Sequence, residues 1–289
     1  MTAAPAVLRP PARRSKHRRI RLPWWAKLLP LVVLAAAFVL PIVWMLSTSF
    51  QSAEKMYQLR TEWIPSVWHF ENYPNALSRL PFPTYFFNSA VVSVIVMAGN
   101  VVFCTLAGYG LSKFRFPGDR FVLLLILCTL MLPLEVTLVP TFLIIHKLDW
   151  LNTYQGLVGP LLIDAFGIFL MRQAILAVPV DYIEAARMDG AGELRILWKV
   201  VVPQCWPSLA VLAIFSFRDS WDQFLWPLTV VSRNEFRTYP LGLVQLAELY
   251  DNPANELMAI SVLATLPVFL VFWMLQRAVN RGFGLSGLK

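Results

Sequence analysis

At 289 residues, 57% of them hydrophobic and only 15% charged, with a mean hydropathy of +0.59, the chain is too apolar for an ordinary water-soluble domain of its size. Lipid is therefore part of its solvent, and at about 20 apolar residues per span the length leaves room for about six spans and no large soluble domain. The formal net charge of +8 could point to nucleic acid, but the basic residues lie between apolar segments instead of forming one patch, which argues against that class.

The chain opens on a basic arm, residues 1–27, with Arg9, Arg13, Arg14, Lys16, Arg18, Arg19, Arg21 and Lys27. Its charge order resembles a signal peptide, yet the uncharged run 28–50 is too long for a signal core and lacks an obvious small-x-small cleavage site. It reads as a retained first span, 28–49, with the arm held at the surface by anionic lipid. A second span occupies 85–111 and a third 121–145, the latter interrupted by Glu135. The fourth, 156–177, carries Asp164, the fifth, 207–231, carries Arg218, Asp219 and Asp222, and the sixth, 257–276, is free of charge.

Basic residues alternate between the connections. One face holds the arm, the loop with Lys113, Arg115 and Arg120, the segment from Arg172 to Lys199 and the tail, whereas only Lys55, Arg60, Arg79, Lys147, Arg233 and Arg237 lie on the other. By the positive-inside rule both termini are expected in the cytoplasm. The expected fold is thus an all-α polytopic membrane protein of six transmembrane helices, divided into the arm 1–27, a six-span domain 28–280 and a cytoplasmic tail 281–289. The outer segments 51–84 and 232–256, rich in Trp, Tyr, Pro and Asn, read as interfacial loops. Cys104, Cys128 and Cys205 have no paired spacing, so neither a disulfide framework nor a metal site is expected.

The connection 179–206 differs in composition from everything around it: charged and helix-forming. Pro179 suits a helix start, Asp181 an N-cap or a first-turn charge, and Gly190 the left-handed position that ends a short helix. A helix of about two turns, a glycine turn and a second helix running to Pro203 are predicted, lying along the membrane surface.

Within it, Glu184-Ala185-Ala186, Gly190 after three intervening residues, and Val200-Val-Val-Pro203 resemble the EAA motif of binding-protein-dependent ABC importer permeases. The family pattern ends in Ile-x-Leu-Pro, so Val200 and Val202 are conservative departures. Leu111-Ser-Lys-Phe-Arg-Phe-Pro-Gly118, Met131-Leu-Pro, Glu135-Val-Thr-Leu-Val-Pro140, Gly167-Ile-Phe-Leu-Met-Arg172 and Trp221-Asp-Gln-Phe-Leu-Trp-Pro227 agree with its carbohydrate-uptake branch of maltose and glycerol-phosphate type. The resemblance implies a coupling helix with Glu184, Ala185, Ala186, Asp189, Gly190 and Pro203 at the contact with a separate ATPase. It also implies a homologous second permease, two cytoplasmic ATPase subunits that bind ATP and magnesium, and an extracytoplasmic solute-binding protein. Small Ala185 and Ala186 permit close approach of a partner, Glu184 can pair with a basic group, and Pro203 interrupts the helix where it meets the fifth span.

Charged residues within spans are costly and usually face a cavity or a partner. Arg218 and Asp222, four apart, are expected to pair on one helix face. Asp164 is less readily explained as a helix-end group and could pair with Arg218. Asp164, Trp221, Asp222 and Gln223 are the candidate solute-path residues, Trp221 as a stacking platform for a sugar ring. No catalytic residue, metal site or cofactor of the chain's own is expected, since G-x-x-x-x-G-K-[ST], H-E-x-x-H and G-x-S-x-G are all absent. The competing reading is a proton-coupled secondary transporter with Asp164 and Glu135 as relay.

Overall fold

The computed structural model describes residues 24–56, 62–250 and 253–286; all but the last four residues of the expected basic arm, and the end of the tail, lie outside them. The described residues contain helices and turns and no strand: α1 Trp24–Thr48, α2 Ala53–Met56, α3 Asn72–Arg79, α4 Phe82–Lys113, α5 Asp119–Thr129, α6 Leu134–Lys147, α7 Tyr154–Val158, α8 Ala165–Leu176, α9 Val180–Met188, α10 Glu193–Ile196, α11 Val202–Gln204, α12 Trp206–Trp221, α13 Leu225–Val230, α14 Tyr239–Leu249 and α15 Ala254–Ser286.

The described residues up to Trp44 and those from Met45 onward form two units. In the first, every described side chain from Leu28 to Val43 is exposed although most are Leu, Val, Ala, Phe or Ile, the state expected of a helix whose solvent is hydrocarbon. In the second, α4 is the central element. Its 32 residues pack along α8 and α12, and α12 also packs on α15. Close approach of α4 and α8 depends on Gly108, where a Cβ would stand 2.8 Å from the backbone nitrogen of Arg172.

Three helices are long and apolar enough to cross a bilayer alone: Leu28–Thr48, Phe82–Lys113 and Ala254–Asn280. They coincide with the first, second and sixth expected spans. The other three are not single helices, and six spans result only when each bent pair counts as one. The third breaks at 130–133 between α5 and α6, which meet at 103°. Pro133 lacks an N–H and, by its ring, keeps Leu132 out of the helical region. The fourth bends by 46° around Asp164. The fifth was expected to run 207–231, but α12 ends at Trp221, where Asp222 caps it, and α13 is a separate short helix; the bent pair there joins Glu193–Gln204 to α12 at 87°.

The segment after α1 is ordered by buried polar contacts. Asn72 Nδ2 donates to the carbonyls of Ser49 and Gln51, both at 2.9 Å, and its Oδ1 accepts from Asn255 at 3.0 Å. Phe50 sits among Trp68, Phe70 and Tyr73 with ring centroids 5.1 to 5.2 Å away. Arg79 Nη2 donates to the buried Glu256 carboxylate at 2.7 Å and lies 4.6 Å from the Tyr250 ring centroid.

Candidate functional site

The 179–206 connection begins with Pro179 in extended backbone as the N-cap of α9, and Asp181 stands in the first turn, not at the cap. Its far end is a Schellman closure: the Gly190 N–H donates to the Arg187 carbonyl and the Ala191 N–H to that of Ala186, each at 3.0 Å. Gly190 adopts φ +77°, the left-handed region its position requires. The Ala186 carbonyl thus closes the turn, and its side chain packs with that of Ala191 against a buried cluster.

That cluster contains Ile183 from α9, Ile196, Leu197 and Val201 from the following limb, Met171 and Ile175 from α8, and Cys104 and Tyr109 from α4. The inner face of the surface element is therefore built into the spans. Its outer face is open: Asp181, Glu184, Ala185, Asp189 and Gly190 are exposed, with Tyr182 58% and Met188 88% exposed.

Polar ties join the same parts. Glu193 accepts from Arg187 Nε at 2.8 Å on one oxygen and from the Tyr109 hydroxyl at 2.6 Å on the other. The Arg187 bond, then the Tyr109 bond, hold the Glu193 carboxyl below its ordinary range, and the same bond to Glu193 raises Arg187. Lys113, at the end of α4, donates to the Val178 carbonyl just before α9 at 3.3 Å. Sequence reasoning missed Tyr109 and Glu193, since nothing in their spacing, 84 residues apart, shows that they meet.

Between α10 and α11, residues Leu197–Val201 form a π-helical turn. Pro203 follows one residue later, after Val202. In an α-helix its ring would press on the carbonyl of Lys199 and its missing N–H would leave that carbonyl unpaired, so a widened turn before it relieves the clash. After α11, the chain turns into α12.

The charged groups of the spans separate into two sets. Asp164 is the N-cap of α8, accepting the Gly167 N–H at 2.9 Å, so it is a helix-end group after all. Arg218 pairs with Asp219 at 3.2 Å and with Asp222 at 3.5 Å, the latter the expected i,i+4 contact, and not with Asp164. Asp164, Asp219, Gln223, Ser216, Ser220 and Asn100 line a cavity of about 240 Å³ between α4, α8 and α12; Glu135, exposed in the first turn of α6, is not among its walls. Trp221 and Asp222 do not line it either. Trp221 is 1% exposed, packed with Phe86, Phe217 and Tyr239, and its indole N–H donates to the Ala264 carbonyl at 3.0 Å. Asp222 accepts from the Tyr239 hydroxyl at 2.8 Å.

Comparison with known proteins agrees with this arrangement. Residues 100–284 match the family described as binding-protein-dependent transport system inner membrane component. The chain is 31% identical over 268 residues to the arabinooligosaccharides transport system permease protein AraQ of Halalkalibacterium halodurans, covering 92% of this chain and 96% of that protein. It is 35% identical to the sn-glycerol-3-phosphate transport system permease protein UgpE of Yersinia enterocolitica, covering 76% and 78%. Among solved structures, a bacterial ABC transporter involved in import of the acidic polysaccharide alginate superposes with a TM-score of 0.76 at 26% identity, covering 88% of this chain and 95% of that one. With its surface helix built into a bundle of apolar helices, the chain belongs to the inner-membrane components of binding-protein-dependent transport systems and is a permease of an ABC importer.

Proposed function

We propose that this permease forms half of a pore for a neutral sugar or polyol and is driven through α9 by a separate ATPase. The observation that carries the reading is the two-faced surface element: its inner side shares a core with α4 and α8, while Tyr182, Glu184 and Met188 project outward. A helix so anchored passes on a push as rigid-body motion instead of bending locally. Both termini and α9 are assigned to the cytoplasm by charge asymmetry. Two ATPase subunits bind ATP and its magnesium there, a homologous second permease completes the pore, and an extracytoplasmic binding protein delivers the solute. In this scheme the pairs α5–α6 and α7–α8 are one span each and α12 is another, making six.

The sugar or polyol class rests on the relatives' named cargoes, an arabinooligosaccharide, sn-glycerol-3-phosphate and alginate, and its neutrality on the cavity alone. Asp164 and Gln223, the two solute-path candidates it retains, stand there with Asp219, Ser216 and Asn100: acceptors and amides suited to sugar hydroxyls, and carboxyl groups that repel an anionic solute. Trp221 serves packing, while the exposed Asp222 is engaged by Arg218 and by the Tyr239 hydroxyl.

Glu184→Lys tests the coupling assignment. Co-purification with the ATPase subunits and solute uptake should both be lost while membrane insertion is kept. Wild-type uptake by this variant would overturn the assignment.

A further inference from the structure

At the end of the molecule where α8 leads into α9, a second set of charges remains outside the transport path. Arg115, Arg120 and Arg172 line a recess of about 100 Å³ between the end of α4 and the start of α5. Arg172 Nε donates to the Leu111 carbonyl at 3.2 Å, which fixes that side chain at the recess wall. Among the described residues neither Arg115 nor Arg120 is in an ion pair, and both are exposed. Asp119 is the one acidic wall residue, and its Oδ1 already accepts the Arg120 N–H at 2.6 Å.

The surroundings distinguish a lipid from a soluble anion. The recess lies at the end of α4, a 32-residue helix long and apolar enough to cross a bilayer, and the end of a span is where headgroups are met. Below it runs α5, which buries none of its side chains, with Phe121, Leu124 and Leu125 between 51% and 62% exposed. Phe114 and Phe116 are exposed beside the arginines. A free phosphate gains nothing from such an apolar rim, whereas a phospholipid lays its acyl chains along it while its headgroup meets the guanidinium groups.

We infer that the recess bounded by Arg115, Arg120 and Arg172 is a binding site for the phosphate headgroup of an anionic phospholipid, with the acyl chains on α5. The test uses the assembled importer in detergent, stripped of lipid and titrated with dioleoyl phosphatidylglycerol, dioleoyl phosphatidylcholine or inorganic phosphate, with bound lipid counted by native mass spectrometry. Arg115 and Arg120 are exposed, so Arg115→Gln/Arg120→Gln should assemble normally, and Arg172 is left intact because it braces Leu111. The double variant is expected to bind phosphatidylglycerol about thirtyfold more weakly, from roughly 1 kcal/mol for each of the two arginines near a lipid surface. Arg233→Gln, a charge removal elsewhere, should leave binding as in the wild type, and phosphatidylcholine should bind the wild type more weakly than phosphatidylglycerol. Equal phosphatidylglycerol binding by the double variant and the wild type would overturn the site, as would an equal loss in Arg233→Gln. Displacement of the lipid by inorganic phosphate at the same concentration would assign the recess to a soluble oxyanion and sink the lipid reading.

Discussion

At position 190 the backbone enters the left-handed region, and no atom lies within 4 Å of where a Cβ would stand. The demand for glycine there is therefore conformational and not steric. Gly190→Ala should cost the α9 turn about 1 to 2 kcal/mol without any clash, and Gly190→Asn less, since asparagine tolerates this region. The expected outcome is weaker co-purification of the ATPase with Ala than with Asn, at equal yield of folded permease; equal behaviour of the two would count against it. This glycine was legible in the sequence because the requirement is local. Asp164 and Trp221 were not, for opposite reasons. The cap at Asp164 depends on a chain break that hydropathy does not register, and the enclosure of Trp221 is made by Phe86, Tyr239 and Ala264, residues far away in sequence.

Among elements, the tie between α9, α10 and α4 is a three-residue bridge: Arg187, Glu193 and Tyr109. Tyr109→Phe removes one arm and leaves the ring in the buried cluster; Glu193→Gln weakens both. Solute-stimulated ATP hydrolysis is expected to persist while transport per ATP falls several-fold, because the surface element would still dock yet move α4 less faithfully. Unchanged stoichiometry of transport to hydrolysis in both variants would show that the apolar cluster alone carries the motion. The Glu193 carboxyl is held below its ordinary range, so its contribution is complete above the unfolded carboxylate pKa and is lost as pH falls through the lower folded value. Neutral and mildly acidic media should therefore leave the bridge intact, and stronger acidification should loosen it in the wild type but not in Glu193→Gln. Apolar runs revealed the three helices long and apolar enough to cross a bilayer alone, since length and composition determine that. They did not reveal that the third run turns by 103°, although Pro133 stood in plain view, because a hydropathy window averages over direction.

For the whole molecule, the second unit is held by contacts between parts far apart in the chain. Arg79 reaches Glu256 across 177 positions and joins α3 to α15. Glu256 is 5% exposed, so losing its partner strands a carboxylate. Arg79→Met should destabilise by ~3 kcal/mol, the low end for halving a buried pair because Arg79 keeps some solvent. The check is the apparent Tm of the complex in detergent, expected to drop by several degrees and to recover substantially in Arg79→Met/Glu256→Leu. An unchanged Tm in the single variant would mean that helix packing suffices.

The π-helical turn before Pro203 contains one more residue than an α-helical turn would. Each residue of an α-helix advances its side chains by about 100°. Held within one widened revolution, that surplus residue spares Ile196 and the helix that follows such a rotation, and both keep their buried side chains on one side. Deleting one residue from 197–201 would close the widened turn to α-helical pitch and leave the inward stripe in phase, yet it would set the ring of Pro203 against the carbonyl one turn back, so the joint is shaped to admit the proline.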